Sequence, residues 1–251
     1  MSGHSKWSSI KHKKGAADKK RGQLFSKLSR AIIVAAREGG PDPAGNLALQ
    51  NAVEKARSYS MPKENIERAI ARGSGADADA NAYETVVYEG YGAGGVAILV
   101  EALTDNRNRT ASDVRSAFSK HDGSLGGSGT VAWQFERRGV VIVDADGVDE
   151  DELMLAAAEG GADDVERDGS TFQITCAPES LTSVREAVES AGFAVESAEL
   201  TMIPKTTIEV DDESTAKKIL RLIDTLEESD DVQEVYSNFD IPERVLETVA
   251  G

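Results

Sequence analysis

The order of strands and helices is clearest in residues 140–200, which read VVIVDADGVDEDELMLAAAEGGADDVERDGSTFQITCAPESLTSVREAVESAGFAVESAEL. Short apolar runs predict strands, and two longer segments with apolar residues every three or four positions predict helices. Asp168-Gly169 is a hairpin signal between two strands. The order is strand, helix, strand, strand, helix, strand, the split βαβ arrangement of ferredoxin-like folds. The predicted elements are strands 140–143, 164–166, 171–176 and 195–200 and helices 150–159 and 181–190.

Half of a similar unit lies on each side of this stretch. Residues 96–136 predict a strand, a helix and a strand, and residues 204–251 predict the same order. Joined, the two halves complete a second ferredoxin-like sheet. We therefore predict that residues 137–203 form a domain inserted into another one, built from residues 76–136 and 204–251. The alternative, three consecutive domains, leaves incomplete sheets with exposed edges, which natural proteins avoid.

The boundaries of the predicted elements in the outer domain follow from turn and cap signals. The predicted strands and helices are strands 85–89, 96–101, 131–135, 206–210 and 232–237, a helix that ends by 123 and a helix at 214–226. Thr110-Ala111-Ser112-Asp113 matches a capping box and predicts the start of the first of these helices.

The first 75 residues have a different organisation. Apolar residues spaced by three and four predict three short helices in residues 21–75, with Gly39-Gly40-Pro41 ending the first and Gly73 ending the third. Residues 73–81 are rich in Gly, Ala, Ser and Asp and predict a linker. Residues 1–20 show no periodicity, and we expect a basic arm that becomes ordered only on a partner. The fold class is thus α+β: a helical N-terminal domain with a basic arm, followed by two ferredoxin-like α/β domains.

The charge of the chain is distributed very unevenly. The net charge is -16, yet residues 1–75 carry 15 Lys or Arg and only 6 Asp or Glu. The other 176 residues carry 13 basic and 38 acidic side chains. Such asymmetry is typical of a basic arm for a polyanion on an acidic remainder. A nucleic acid should therefore meet the N-terminal part of the chain.

The composition argues against several other classes of protein. A single cysteine, Cys176, excludes a disulfide within the chain, and only three histidines are present. No apolar run approaches the roughly 20 residues of a membrane helix, and the first residues lack the apolar stretch of a secretory signal. We expect a cytoplasmic protein that has no cofactor, no metal site, no membrane partner and no small-molecule substrate. With no convergent acid–base set in the sequence, we also expect no enzyme activity.

Clusters that resemble catalytic or metal sites have simpler structural interpretations. Cys176 lies on an apolar predicted strand with no histidine after His121, which favours a buried structural thiol. The acids at 149–152 and 211–213 lie where acids favour the start of a helix. The glycine-rich stretches 90–95 and 123–129 lack the lysine of a phosphate-binding loop and fit turns better.

The strongest candidate site is the basic arm with its continuation onto the first helix. Lysines can neutralise phosphates and release counterions, and Trp7 offers a ring for base stacking. Arg107 and Arg109 beside a helix start could hold a phosphate, although solvated loop charge explains them equally well. The predicted nucleic-acid-binding residues are Lys6, Trp7, Lys11, His12, Lys13, Lys14, Lys19, Lys20, Arg21, Lys27, Arg30, Arg107 and Arg109.

Four stretches closely resemble the YebC family, also called PmpR-like regulators. They are MSGHSKWSSIKHKKGAADKKRGQLFSKL at 1–28, MPKENIERAI at 61–70, YEGYGAGGVAILVEALTDNRNRT at 88–110 and GSLGGSGTVAWQF at 123–135. The resemblance implies a helical N-terminal domain followed by two ferredoxin-like domains. It also implies a cytoplasmic, probable DNA-binding transcriptional regulator, or, as described for other members, a translation factor that helps the ribosome through consecutive prolines. It implies no enzyme activity.

The residues alone do not choose between DNA and RNA. The second and third predicted helices carry mixed charges, so a basic recognition helix is not evident. A lysine-rich arm with one Trp suits irregular RNA or a binding site dominated by backbone contacts. We predict a non-enzymatic, nucleic-acid-binding regulator of gene expression, a DNA-binding transcriptional regulator of the YebC type, whose partner is promoter DNA or ribosomal RNA. The alternatives are a ribosome-associated translation factor that binds ribosomal RNA and a ferredoxin-like sensor of a small molecule.

Overall fold

The computed structural model describes residues 17–75 and 83–250. The first range is called the helical domain below, and the second is called the α/β body. Most of the predicted arm and most of the predicted linker lie outside these ranges. No helix in the two described ranges combines the length and apolar character that crossing a membrane requires.

The helical domain consists of α1 (Ala17–Gly39), α2 (Leu47–Ser58) and α3 (Lys63–Ser74). Asn46 begins α2 by accepting a hydrogen bond from the Leu49 amide, and its own side-chain amide donates to carbonyl oxygens near the end of α1. The three helices enclose one apolar core, which includes Leu28, Ile32, Leu49, Val53 and Ile66.

The sequence predicted that Gly73 ends α3, and this prediction was wrong. Gly73 lies inside the helix, which continues to Ser74. A Cβ atom at Gly73 would overlap the carbonyl oxygen of Ile33, so the glycine is what allows α3 to approach α1 this closely. Gly73 therefore allows close packing between α3 and α1, and α3 ends one residue later, at Ser74.

The first sheet of the α/β body consists of β1 (Glu84–Tyr91), β2 (Ala97–Thr104), β3 (Ser124–Leu125) and β9 (Val232–Ser237). These strands lie in the order β3-β1-β2-β9, and all neighbours are antiparallel. Helices α4 (Arg107–Lys120) and α7 (Glu213–Glu227) pack on one face of the sheet, where Ile98, Val100, Phe118, Ile219 and Leu222 are buried. The C-terminal helix α8 (Glu243–Ala250) adds Val245 and Leu246 to the same core.

The second sheet is formed by residues 135–204, which extend a few residues beyond the predicted strands at 140–143 and 195–200. Its strands are β4 (Phe135–Asp144), β5 (Ala162–Asp168), β6 (Thr171–Cys176) and β7 (Val195–Pro204), in the antiparallel order β5-β6-β4-β7. Helices α5 (Glu150–Gly160) and α6 (Leu181–Ser190) complete the predicted βαββαβ order. Val141, Leu153, Phe172, Ile174 and Val184 are buried in its core.

Two strand predictions in the outer domain were wrong. Residues 132–134 form a 3-10 turn rather than a strand, and β4 begins after them at Phe135. Near the predicted strand 206–210, only β8 (Ile208–Glu209) forms, and it pairs in parallel with β10 (Phe239–Asp240) outside the first sheet. Both of these short strands come from residues 204–251, whereas the two flanking segments pair with each other inside the first sheet, through β2 and β9.

The predicted fold class is nevertheless confirmed: helices come first, and two antiparallel sheets with helices follow. The first sheet takes β1 to β3 from before the second sheet and β9 from after it. Phe135 at the start of β4 and Met202 near the end of β7 pack against Leu99 and Tyr236 of the first sheet. The domain limits 76–136, 137–203 and 204–251 stay a prediction.

Candidate nucleic-acid interface

The predicted arm residues divide at the point where the described chain begins. Lys6, Trp7, Lys11, His12, Lys13 and Lys14 lie outside the described residues. Lys19 and Lys20 belong to α1, which is already helical at Ala17, four residues before the predicted start of the helical domain. Arg21 is exposed, with its guanidinium 5.5 Å from the centre of the Phe25 ring.

Lys27 and Arg30 face the α/β body. Lys27 Nζ donates to the carbonyl oxygen of Glu227, 2.6 Å away, at the end of α7. Arg30 donates to the carbonyl oxygen of Asp230 at 2.6 Å and to Asp231 Oδ1 at 3.2 Å. Burial lowers the pKa of Lys27, and the nearby carboxylate of Glu227 opposes that effect only partly. Both side chains thus bind acceptors of the α/β body. To bind nucleic acid, as the sequence predicted, they must exchange these acceptors for phosphates.

The side chain of Arg109 also binds acceptors within the chain, and the main one is the carboxylate of Asp231. Asp231 is buried and accepts hydrogen bonds from Arg109 at 2.8 Å and from the Thr110 hydroxyl at 2.8 Å. Burial raises the pKa of the Asp231 carboxyl, but the hydrogen bonds from Arg109 and Thr110 outweigh it and keep the pKa below its usual value. Arg109 also pairs with Asp105 at 2.8 Å.

The capping-box prediction at Thr110 was wrong, because the hydroxyl of Thr110 binds Asp231 instead of capping α4. The cap of α4 is Asn106, whose side chain accepts a hydrogen bond from the Arg109 amide. Thr110 is buried one turn into the helix, where its hydroxyl completes the contacts of Asp231. A threonine followed by an acid three residues later therefore fitted the capping pattern without acting as a cap.

Arg107 is the more accessible of the two arginines at this helix start. Its side chain is exposed and lies 3.6 Å from a carboxylate oxygen of Glu84. An exposed ion pair of this kind is weak and screened by salt. Arg21 and Arg107 are therefore more available to a phosphate than Lys27, Arg30 and Arg109, which bind acceptors within the chain.

Glu89 shapes a loop that lies outside the set of residues predicted from the sequence to bind nucleic acid. Its carboxylate is 5% exposed and accepts hydrogen bonds from the backbone amides of Gly129, Val131 and Ala132 at 2.7–2.8 Å. Burial opposes ionisation, but these amides outweigh it and lower the pKa of Glu89. The result is a glycine-rich loop with a defined shape, since a buried charge is costly unless it keeps its partners.

This loop presents Trp133 to solvent. The indole is 66% exposed, and its N–H donates to the carbonyl oxygen of Thr130 at 3.2 Å. An exposed aromatic ring on a well-formed loop is a contact group for a nucleobase or a protein. The sequence offered only a weak signal for this loop: a glutamate inside the predicted strand 85–89 and, later in the chain, the glycines of residues 123–129.

Asp149, Asp212 and Cys176 have the structural roles that the sequence assigned to them, whereas the two glycine-rich stretches lie partly in strands β1 and β3. Asp149 caps α5 through the amides of residues 151 and 152, and Asp212 caps α7 through Thr215. Cys176 is fully buried, and burial raises the pKa of its thiol. No group of three or more His, Cys, Asp or Glu side chains in residues 17–75 and 83–250 is placed to hold a metal ion.

Comparison with known proteins identifies the family. Residues 5–76 match the TACO1/YebC protein N-terminal domain, and residues 83–239 match the TACO1/YebC second and third domain. The chain belongs to the TACO1/YebC family. The gap between the two matches, residues 77–82, overlaps the predicted linker at 73–81, so the family's domain boundary lies where the composition of the chain changes.

Relatives resemble the chain along its whole length. A probable transcriptional regulatory protein from Rubrobacter xylanophilus is 61% identical over 251 residues and is covered completely, as is this chain. One of the same description from Halothermothrix orenii is 53% identical, with 99% of each chain covered. The crystal structure of a conserved hypothetical protein from Aquifex aeolicus is similar at a TM-score of 0.80 and 50% identity, covering 90% of this chain and 93% of that one.

Proposed function

We propose that the chain is a non-enzymatic regulator of gene expression that binds promoter DNA in the cytoplasm. The observation that carries the proposal is the full-length identity of 61% with a probable transcriptional regulatory protein. The charge distribution supports it independently, because residues 1–75 combine 15 basic with 6 acidic side chains in an otherwise acidic chain.

The site would bind mainly through the phosphate backbone. The exposed side chains of α3 include Lys63, Glu64, Glu67 and Arg68, and such a mixed face is poorly suited to lie in the major groove. The lysines of residues 6–20 and Arg21 would supply phosphate contacts, and Trp7 a stacking contact. Phosphate contacts position a protein on the duplex, whereas contacts to base edges provide its specificity.

A competition experiment tests the choice of target. The purified protein is offered labelled promoter-region duplexes and intact ribosomes together, at near-physiological salt and with bulk unlabelled duplex present. Retention of particular promoter duplexes that ribosomes do not displace is the expected result. Saturable binding to ribosomes that no duplex displaces would overturn the proposal and make the chain a translation factor.

A double substitution in the arm tests the contact residues. Lys13→Ala with Lys14→Ala should weaken binding to duplex DNA and reduce the slope of log affinity against log salt by about 2, because each lysine that contacts a phosphate releases one counterion. Fluorescence anisotropy at several salt concentrations measures this slope. The matched control is Lys205→Ala with Lys217→Ala, which removes two exposed lysines of the α/β body and should leave the slope unchanged. Equal slopes for both variants would contradict the assignment of the arm.

A further inference from the structure

The helical domain and the α/β body have separate apolar cores. Each of the four hydrophobic clusters among the described residues lies on one side of this boundary: one in the helical domain and three in the body. Charged side chains of the helical domain, those of Lys27, Arg30, Arg37, Glu54 and Lys55, make hydrogen bonds and ion pairs across the boundary. An interface of this kind holds two domains together far less firmly than a shared core would.

Most of these contacts join a cation of the helical domain to an acceptor of the body. On α1, Lys27 and Arg30 reach the end of α7, and Arg37 donates to the carbonyl oxygen of Tyr83 at 2.9 Å. On α2, Lys55 pairs with Glu234 of the first sheet and lies 3.8 Å from Glu199 of the second. A contact of opposite polarity, Glu54 to Arg185 at 4.0 Å, lies beside Lys55.

The acceptors around Lys55 come from both sheets. Glu101 lies directly opposite Glu234 on the neighbouring strand, so two carboxylates face each other across the sheet. Burial, with Glu234 adding to it, raises the pKa of Glu101, and burial also raises the pKa of Glu199. Burial opposes the charge on Lys55, but Glu234 and Glu199 outweigh it and raise its pKa. The lysine thus compensates a concentration of negative charge that the body presents to the helical domain.

The boundary is also open to solvent. A groove of about 680 Å³ runs between α1, α4 and α7, and its lining includes Gln23, Arg30, Asp113, Lys120 and Glu228. Exposed and partly exposed ion pairs contribute little to stability and are screened by salt. Phosphates compete for lysine and arginine through the same charge interaction that the body's acceptors use.

We propose that the face of α1 and α2 carrying Lys27, Arg30 and Lys55 is a second polyanion-binding surface, covered by the acidic body until nucleic acid displaces that body. This inference rests on the proposed function, because it needs a nucleic acid to be bound first by the arm. Once the arm holds a duplex, its phosphates are present at high local concentration beside α1. The helical domain then exchanges carboxylate and carbonyl acceptors for phosphates and separates from the body.

The test uses the full-length protein with one dye on each side of the boundary. Exposed residues on α2 and α6 are replaced, Asn51→Cys and Thr182→Cys, and Cys176 stays in place because it is buried. Energy transfer between the dyes reports domain separation, and anisotropy of a labelled mixed-sequence duplex reports binding in parallel. The expected result is a fall in energy transfer over the same concentrations at which the duplex binds. A rise in NaCl from about 50 to about 500 mM, without DNA, should lower the energy transfer as well.

A matched pair of variants isolates the contact at Lys55. Glu234→Gln should lower the energy transfer of the free protein and increase duplex affinity about twofold to fivefold, because one acceptor that competes with phosphate is lost. Glu150→Gln removes the same charge from an exposed position on α5 and should do neither. Equal effects of the two variants on affinity and on energy transfer would overturn the inference, because they would reflect net charge alone.

The outcomes separate this inference from the proposed function. Duplex binding with unchanged energy transfer would overturn the inference and leave the proposed function standing. Failure of every duplex to bind, while salt still lowers the energy transfer, would overturn the proposed function and with it the claim that this face binds a polyanion.

Discussion

At the scale of single residues, buried charges shape the surface of this protein. Glu89 and Asp231 are both buried carboxylates, and each holds a different exposed or partly exposed segment in place. Glu89 binds the backbone of the loop before Trp133, and Asp231 binds Arg109 and Thr110 at the start of α4. A buried carboxylate that keeps several donors is ionised at neutral pH, because the donors compensate for the lost hydration.

Replacing Glu89 tests whether an ionised, buried carboxylate stabilises the loop that it binds. Glu89→Gln should lower the free energy of unfolding by about 2–4 kcal/mol at neutral pH, since a neutral amide cannot accept hydrogen bonds from the loop amides through both of its terminal atoms. Urea unfolding monitored by far-UV circular dichroism measures the loss. Glu186→Gln, at an exposed position on α6, should change stability by less than about 0.5 kcal/mol. Similar losses in the two variants would mean that Glu89 contributes only charge.

The loss of stability in Glu89→Gln should depend on pH in a defined way. The pKa of Glu89 is lowered on folding, so its contribution is complete above the unfolded value of about 4.3 and is lost as the pH falls through the folded value. The difference in unfolding free energy between wild type and Glu89→Gln should therefore shrink as the pH falls from about 6 to about 3. Unfolding in urea at a series of pH values measures this difference directly. A constant difference would show that the carboxylate does not act through its charge.

At the scale of elements, close helix packing depends on where glycine lies. Gly73 of α3 faces the backbone of α1 at Ile33, whereas Gly22 of α1 has no heavy atom near the position where a Cβ would be. Both lie within helices, where alanine is intrinsically favoured by about 1 kcal/mol. The two glycines therefore have the same local propensity and opposite packing constraints.

Alanine at these two positions should have effects of opposite sign. Gly22→Ala should stabilise the protein by up to about 1 kcal/mol, because it only reduces the freedom of the unfolded chain. Gly73→Ala should destabilise it by about 1–3 kcal/mol, because α3 must move away from α1. Thermal unfolding of the two variants measures both changes. Stabilisation by Gly73→Ala would contradict the close approach of the helices.

At the scale of the whole molecule, the uneven charge of the sequence has two uses. One is the attraction of the N-terminal residues for a polyanion, which the proposed function requires. The other is the contact between domains, in which Lys27, Arg30 and Lys55 find their acceptors on the body. The sequence predicted the first use for Lys27 and Arg30 and did not anticipate the second.

Removing residues 1–82 tests the independence of the body. Since each core of the body lies wholly within residues 83–250, the truncated chain should still unfold cooperatively, with a midpoint within several degrees of the full-length value. Glu101 and Glu199 should then regain hydration, and their pKa values should fall toward the ordinary range. Calorimetry and carboxyl NMR titration measure these two effects. A truncated chain without cooperative unfolding would contradict the separation of the cores.

Much of the architecture followed from the sequence because it depends on neighbours along the chain. The apolar spacing in residues 140–200 matched the second sheet and its two helices, and the acids before α5 and α7 matched helix caps. Predictions failed where distant contacts decided the outcome. Glu89 holds residues 129–132 in a turn where an apolar run predicted a strand, and Asp231 draws the hydroxyl of Thr110 into the interior.

The sequence by itself determined the strands and helices of the second sheet, the three N-terminal helices, the charge asymmetry and the resemblance to the family. All of these depend on residue type and on short spacings along the chain. Only the tertiary structure decided which cations are engaged, because Lys27 and its acceptor at Glu227 are 200 residues apart in sequence. Helical periodicity indicates which side chains share a face, but the element that covers that face is set by the packing of the whole chain.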